Sequence, residues 1–307
     1  MKSIGKKVKM MIVGTIILSM VVFANFSAFA QQQNRPTPLT ERMLKAYVDL
    51  PDEQRKAENK RFIEMYDGLR VADVRDGMDW LGYHHFGSLD PAIRPLWRTY
   101  SYGIARTARY IPYVGPAPLE RGREYSRWQG PYYNEIATYP WMDEIEEGDF
   151  IALDMSGVNV GLMGSENTLR CLLAGAKGFV LNGSGMRDTD EVILQQVPVW
   201  NHFLAQGMVQ VRIQYESKNI PVAIGGVAIF PGDMIVADND GVIVVPRAVA
   251  EEVAKQSHRM LSTDKSTRRR LYEQLGRELD ETVMDDNTDR QALYKRLGWD
   301  DMVRPAR

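Results

Sequence analysis

The 307-residue chain carries 38 lysines and arginines against 40 acidic side chains, a formal net charge of -2, and this balance excludes the strongly basic surface on which nucleic-acid binding usually rests. Its one cysteine, Cys171, excludes an internal disulfide framework, and no cysteine or histidine spacing matches a zinc site. The length suits one large globular domain with helical extensions.

Lys2, Lys6, Lys7 and Lys9 precede an apolar centre, Met10 to Val22, and the small-x-small triplet Ala28-Phe29-Ala30. This is the pattern of a secretory signal peptide over 1–30, cleaved before Gln31, and it predicts a secreted or periplasmic protein. The apolar run continues through Phe23 and Phe26, so an uncleaved membrane anchor with the body outside the cytoplasm is the competing reading. Residues 31–65 read as a polar linker followed by an N-terminal helical arm, with Pro51 at a first helical turn.

Val71, Val74, Met78 and Leu81 fall on one side of a helix that Gly82 ends. His84 and His85 follow in a loop without a third ligand at a recognisable spacing. Ser101 to Tyr110 reads as a strand. The stretch from Ile111 to Trp141 is rich in proline, glycine and aromatic residues and reads as a long loop, either a lid or an interface between subunits.

Gly148-Asp149 opens the part with the clearest logic. Phe150 to Asp154 is a predicted strand, Met155 to Gly164 a loop, Ser165 to Ala174 a helix and Gly178 to Asn182 the next strand. A strand, helix, strand unit makes the two strands parallel neighbours, and ligands gather beyond their carboxyl ends. Asp154, the loop to Ser165 and the pair Arg187-Asp188 all fall there. The helix start at Ser165 offers backbone N–H groups to an anion, with Gly164 allowing close approach; Ser165 is also a natural cap. Cys171 sits on an apolar helix face and reads as a small buried hydrophobe.

Gly183 and Gly185 release the backbone before Arg187 and Asp188 arrive side by side. Neighbouring side chains on a strand point to opposite faces, so these two serve one pocket only where the chain has left the sheet. A guanidinium is a two-pronged donor for a carboxylate, and an aspartate is a hard oxygen ligand for Mg²⁺ or Mn²⁺. The alternative is structural: Asp188 caps a helix that continues to Glu191, and Arg187 is a solvated surface residue.

Met208 to Gln214 and Ile220 to Ile229 read as further strands. Pro231-Gly232-Asp233 turns the chain into Met234 to Ala237, and Asp238 to Gly241 forms a hairpin turn before Val242 to Val245, which explains its aspartates by turn chemistry. Ala248 to Leu261 is helical, and 262–307 is a charged helical tail with few apolar residues, expected to pack on a neighbour or stay partly mobile.

The run Gly148 to Asp154, then Gly164 to Asn167, Gly175 to Gly178, Asn182-Gly183, Arg187-Asp188 and Ile224 to Pro246 resemble the RraA-like family over 66–261. That family includes the divalent-metal 4-hydroxy-4-methyl-2-oxoglutarate aldolases and the regulator of ribonuclease E activity. The resemblance implies an α/β sandwich of the swivelling type, here with N- and C-terminal helical extensions, assembled as homo-trimers or hexamers. It implies a lyase that uses Mg²⁺ or Mn²⁺ to release pyruvate from a 2-oxo acid, with oxaloacetate decarboxylation as related chemistry. Arg187 and Asp188 are then the catalytic pair: Gly164, Ser165, Glu166, Asn167 and Arg187 bind substrate, and Asp188 binds the metal. Two alternatives stand beside it, a non-catalytic regulatory protein and the same scaffold acting on a sugar-derived acid. The spacing from Gly178 to Arg187 is one residue longer than the family pattern, and Ser165 replaces the usual glycine or glutamate.

Overall fold

The computed structural model describes residues 45, 47–117, 121–183, 185–284 and 287–303. The expected signal peptide and the linker lie outside the described residues, as does most of the first helical segment. Helix Asp52–Met65 (α1) starts after Pro51, whose missing N–H costs a helix start nothing. Helix Val71–Trp80 (α2) turns Val71, Val74 and Met78 inward and ends at Leu81 and Gly82, as its periodicity predicts.

Strands Arg94–Pro95 (β1), Ser101–Pro112 (β2), Asp149–Asp154 (β3), Gly178–Asn182 (β4), Val199–Asn201 (β5), Ile213–Lys218 (β6), Met234–Asp238 (β9) and Gly241–Val245 (β10) form one mixed sheet in the order β1-β5-β4-β3-β2-β9-β10, with β6 also pairing β2. Strands β2, β3, β4 and β5 are parallel neighbours, and Phe150 to Asp154 stands opposite Gly178 to Asn182, as the strand, helix, strand unit requires. The sheet curls until Arg94 of β1 donates to the Asn239 carbonyl beyond β9 (3.0 Å). Val222–Ile224 (β7) and Val227–Ile229 (β8) form a separate hairpin through Gly225 and Gly226, both at positive φ.

Both faces of the central strands are buried, which is why they read as unbroken apolar runs. Phe150, Ala152, Val180, Ile235, Ala237, Val242 and Val244 meet the β7–β8 hairpin in one core. The alternate residues Ile151, Leu153, Phe179 and Leu181 pack under helix Ser165–Leu173 (α4), while Met234, Val236, Ile243 and Val245 pack under the helices. The two-residue period of strand side chains thus sorts a continuous run into separate cores. The Asp238 turn behaves as predicted: one oxygen accepts from Asp240 N (2.7 Å) and the other from Val71 N (3.0 Å) at the start of α2.

Three expectations need correction. The segment from Ile111 to Trp141 is not one loop: it holds helix Arg123–Pro131 (α3), a wide turn over Tyr132–Ile136, and buried Tyr132 and Trp141. The Tyr132 hydroxyl donates to the carbonyls of Val209 and Ile213, fixing the segment to the body of the domain. The strand expected over Met208 to Gln214 begins only at Ile213, because Val211 takes φ +58° and the ladder cannot form through it. The final helix of the expected domain does not stop at Leu261. It runs as Ala250–Leu275 (α6) to a left-handed Gly276, whose neighbour Arg277 N donates back to the Tyr272 carbonyl (2.9 Å).

Beyond it, Asn287–Leu297 (α7) returns to the same chain and buries Leu293, Tyr294, Leu297 and Trp299 beside α6. His258 lies beneath this cover, 1% exposed, with Nε2 donating to the Met65 carbonyl (2.9 Å). Burial pushes its pKa down to about 4 from the free value of 6.5; Arg290 pushes the same way, and the Met65 carbonyl, Asp73 and Asp67 oppose it. The native ring is therefore neutral, and its contribution to stability is present above the free value and lost as pH falls from 6.5 toward 4. The loss amounts to about 3 kcal/mol. Melting curves from pH 7.5 to 4.5 are expected to fall more steeply for the wild type than for His258→Gln; parallel curves would refute this account.

Candidate functional site

Beyond the ends of β5, β4 and β3 the sheet breaks and then resumes. Leu204, Met186 and Met163 form isolated parallel bridges in the same order as the strands from which they continue. Gly183 at φ +88° carries the chain away from β4, and Arg187 N donates to the Met163 carbonyl (3.0 Å) where pairing resumes. On a regular strand Asp188 would then face away from Arg187. It does not, because Asp188 itself takes the left-handed conformation, φ 56° and ψ 41°. Aspartate tolerates this region better than most residues.

Both side chains consequently line one cavity of about 620 Å³, and Arg187 Nε donates to Asp188 Oδ1 (3.1 Å). The two are about one third exposed, 30% and 34%. Asp188 occupies the N-cap position of helix Thr189–Leu194 (α5), yet its carboxylate makes no capping hydrogen bond. The capping alternative therefore accounts for its place in the chain and not for its side chain. Helix α4 opens into the same cavity with Gly164 as N-cap and no side chain capping it. Two loop glycines make room for the pair: a Cβ at Gly161 would press into the Arg187 side chain, and one at Gly164 would collide with Asp188 Oδ2.

The structure brings together five of the six residues singled out from sequence: Gly164, Glu166, Asn167, Arg187 and Asp188 all line the cavity. Ser165 does not; it is the first residue inside α4, where its carbonyl accepts from Thr168 Oγ1 (3.1 Å). Glu166 reaches the cavity while paired to Arg170 one turn later (2.6 Å). Asp154, at the end of β3, is turned to structural use: Oδ1 accepts from Asn182 Nδ2 and Ser156 N, both at 2.8 Å. Cys171 is buried, and burial pushes its thiol up to about 12, which suits packing.

Sequence reasoning missed the remainder of the lining. Gly161 and Leu162 come from the loop after β3, Tyr133, Asn134 and Tyr139 from the segment that read as a loop, Met142 and Asp143 from the residues just after it, and Arg170 from α4. Met208 joins them where Gly161 N donates to the Gly207 carbonyl (2.9 Å). The aromatic richness of 111–141 was the available signal, but composition does not tell which rings face inward. Tyr132 packs into the core, whereas its neighbour Tyr133 faces the cavity.

Among the described residues no group of three histidine, cysteine, aspartate or glutamate side chains stands ready as an all-protein cage. Mg²⁺ and Mn²⁺ are served by one or two carboxylates with water completing the shell, and Asp188, a cavity carboxylate that makes no capping hydrogen bond, fits that requirement.

Comparisons with known proteins agree with this architecture. Protein DlpA of Legionella pneumophila is 27% identical over 188 residues, 61% of this chain and 28% of its own length. A protein of Halalkalibacterium halodurans, described as a candidate 4-hydroxy-4-methyl-2-oxoglutarate aldolase, is 28% identical over 137 residues, 44% of this chain and 64% of its own. The chain thus spans less than two thirds of either relative. The crystal structure of Streptomyces coelicolor RraAS2, described as an unusual member of the RNase ES inhibitor RraA protein family, superposes with a TM-score of 0.53, covering 71% of this chain and 97% of that one at 23% identity, a likeness of fold. A family model described as RraA-like (Aldolase/RraA) matches residues 71–244, more than half of the chain and all of the elements that build the cavity, and the chain belongs to the RraA-like family.

Proposed function

We propose that this chain is a divalent-cation-dependent carbon–carbon lyase that cleaves a 2-oxo acid and releases pyruvate. The observation that carries the proposal is the convergence of Arg187 and Asp188 on the uncapped start of α4 within one cavity. Arg187 presents a planar, permanently charged fork that matches a substrate carboxylate, and its Nε bond to Asp188 fixes the plane of that fork. The positive end of α4 favours the same anion.

Asp188 would hold the cation. When bound, a divalent ion supplies Lewis-acid stabilisation for negative charge on the 2-oxo oxygen. The reaction is a retro-aldol cleavage: the 4-hydroxyl gives its proton to a water molecule, the C3–C4 bond breaks, and its electron pair stays on C3 as the enolate of pyruvate. A proton from water then completes pyruvate, and the other fragment leaves as a carbonyl compound. No lysine lines the cavity among the described residues, so a Schiff base has no amine there.

The test is pyruvate release from a panel of 4-hydroxy-2-oxo acids and oxaloacetate, with Mg²⁺ or Mn²⁺ and with EDTA. Release that EDTA abolishes is expected; no release from any acid with either ion, or full activity in EDTA, would refute the reading.

A further inference from the structure

The cavity is uneven in charge. Its two cations, Arg170 and Arg187, come from α4 and from the loop after β4, and each is paired, with Glu166 at 2.6 Å and Asp188 at 3.1 Å. The wall built by 133–143 and Met208 contains no cation and carries the exposed carboxylate of Asp143. A second carboxylate on the substrate would meet no positive partner on that wall.

The wall instead offers rings and sulfur. Tyr133 and Tyr139 stack, with centroids 6.5 Å apart and planes 23° apart, and Met142 and Met208 line the cavity with them. Tyr133 is held by Gln210 Nε2 (3.0 Å), and Tyr139 packs against Tyr110 and Trp141, with ring centroids 6.3 and 6.4 Å away. Burial pushes both phenols up, and the Arg187 guanidinium counters it in each, which places both rings in the field of the residue assigned to the substrate carboxylate. At about 620 Å³ the cavity also lies in the range of roughly 300–1,000 Å³ that accepts drug-sized ligands, more than a pyruvyl unit occupies.

We propose that the acid taken by this site is a monocarboxylic 2-oxo acid whose far end is an aromatic ring seated against Tyr133 and Tyr139, and not a dicarboxylate. This deepens the lyase reading, since it uses the same Arg187 for the head group. Ring–ring and sulfur–ring contacts both favour an aryl group at this wall. The step is the retro-aldol already written, with an aryl aldehyde as the leaving carbonyl compound.

Calorimetry on the purified chain with Mg²⁺ tests binding apart from turnover. Phenylpyruvate and 2-oxoglutarate share the 2-oxo acid head and differ in carrying a ring or a second carboxylate. Phenylpyruvate is expected to bind about tenfold more tightly, the scale of one aromatic pairing. Tyr139→Ala should erase that preference, and Met142→Lys should improve 2-oxoglutarate binding, a gain that misfolding cannot mimic. Equal or tighter binding of 2-oxoglutarate by the wild type overturns the proposal, as does failure to bind either acid. Pyruvate release from 4-hydroxy-2-oxo-4-phenylbutanoate is then measured separately. Tight phenylpyruvate binding without any pyruvate release would refute the lyase and leave the aryl preference standing; release favouring the dicarboxylate would do the reverse.

Discussion

Replacing Asp188 by asparagine is expected to lower kcat/KM for pyruvate release by about three orders of magnitude, the scale lost when one preorganised charge-stabilising group is removed, with the melting temperature almost unchanged. The two halves of this expectation have separate causes. The side chain caps nothing, although it occupies the N-cap position of α5, so its charge is not part of the helix. Its left-handed backbone is one that asparagine adopts readily, and the amide oxygen can still accept from Arg187 Nε. What asparagine removes is the anion that attracts a cation and offsets Arg187. The alanine variant is a poorer probe, because it adds backbone strain at φ 56° to the loss of charge. Initial rates across the substrate panel, beside a thermal melt, decide the matter. Activity within tenfold of the wild type would remove Asp188 from the chemistry.

The frame of the site was legible because it rests on local rules. The run from Phe150 to Asn182 contains two apolar stretches with an amphipathic segment between them, and a parallel pair with a crossover helix follows from connection length alone. Gly164 before Ser165 correctly located the opening of α4. The turn over Asp238 to Gly241 was equally local, since its aspartate oxygens serve backbone N–H groups close by in space.

The features that escaped are those decided at a distance. Nothing in the sequence says that Asp188 is left-handed, and that one dihedral brings adjacent side chains to the same cavity. Tyr132 and Tyr133 are indistinguishable by composition, yet one donates to Val209 and Ile213 and the other faces the ligand space. Residues 262–307 read as a charged tail that packs on a neighbour or stays partly mobile, but a few large side chains suffice to hold it to its own domain: Tyr294 and Trp299 close over His258 with ring centroids 5.4 and 5.8 Å away. Gly77 lies inside α2. It marks the place where α2 crosses α6, since a Cβ there would run into Ser257.

Gly164→Ala is expected to cost about a hundredfold or more in kcat/KM, the scale on which a misplacement of about 1 Å acts, through displacement of a group that the substitution leaves chemically intact. Gly164 has φ −138° and ψ −172°, an extended conformation that any residue adopts, so its lack of a side chain is not explained by backbone freedom. It is explained by Asp188, whose Oδ2 occupies the space that a Cβ would enter. Adding the methyl group must move the carboxylate away from the start of α4 or move α4 itself. Gly161→Ala acts on the other partner, since its Cβ would press against Arg187 Cβ, Cγ and Cδ. The pair of variants therefore separates the two roles: Gly164→Ala should raise the concentration of Mg²⁺ needed for half-maximal rate, and Gly161→Ala should act mainly on KM for the acid. Thermal melts within a few degrees of the wild type would show that the effect is confined to the site. If both alanine variants kept wild-type rates and the wild-type dependence on Mg²⁺, the contact between this pair and the glycine-lined helix start would have no part in catalysis.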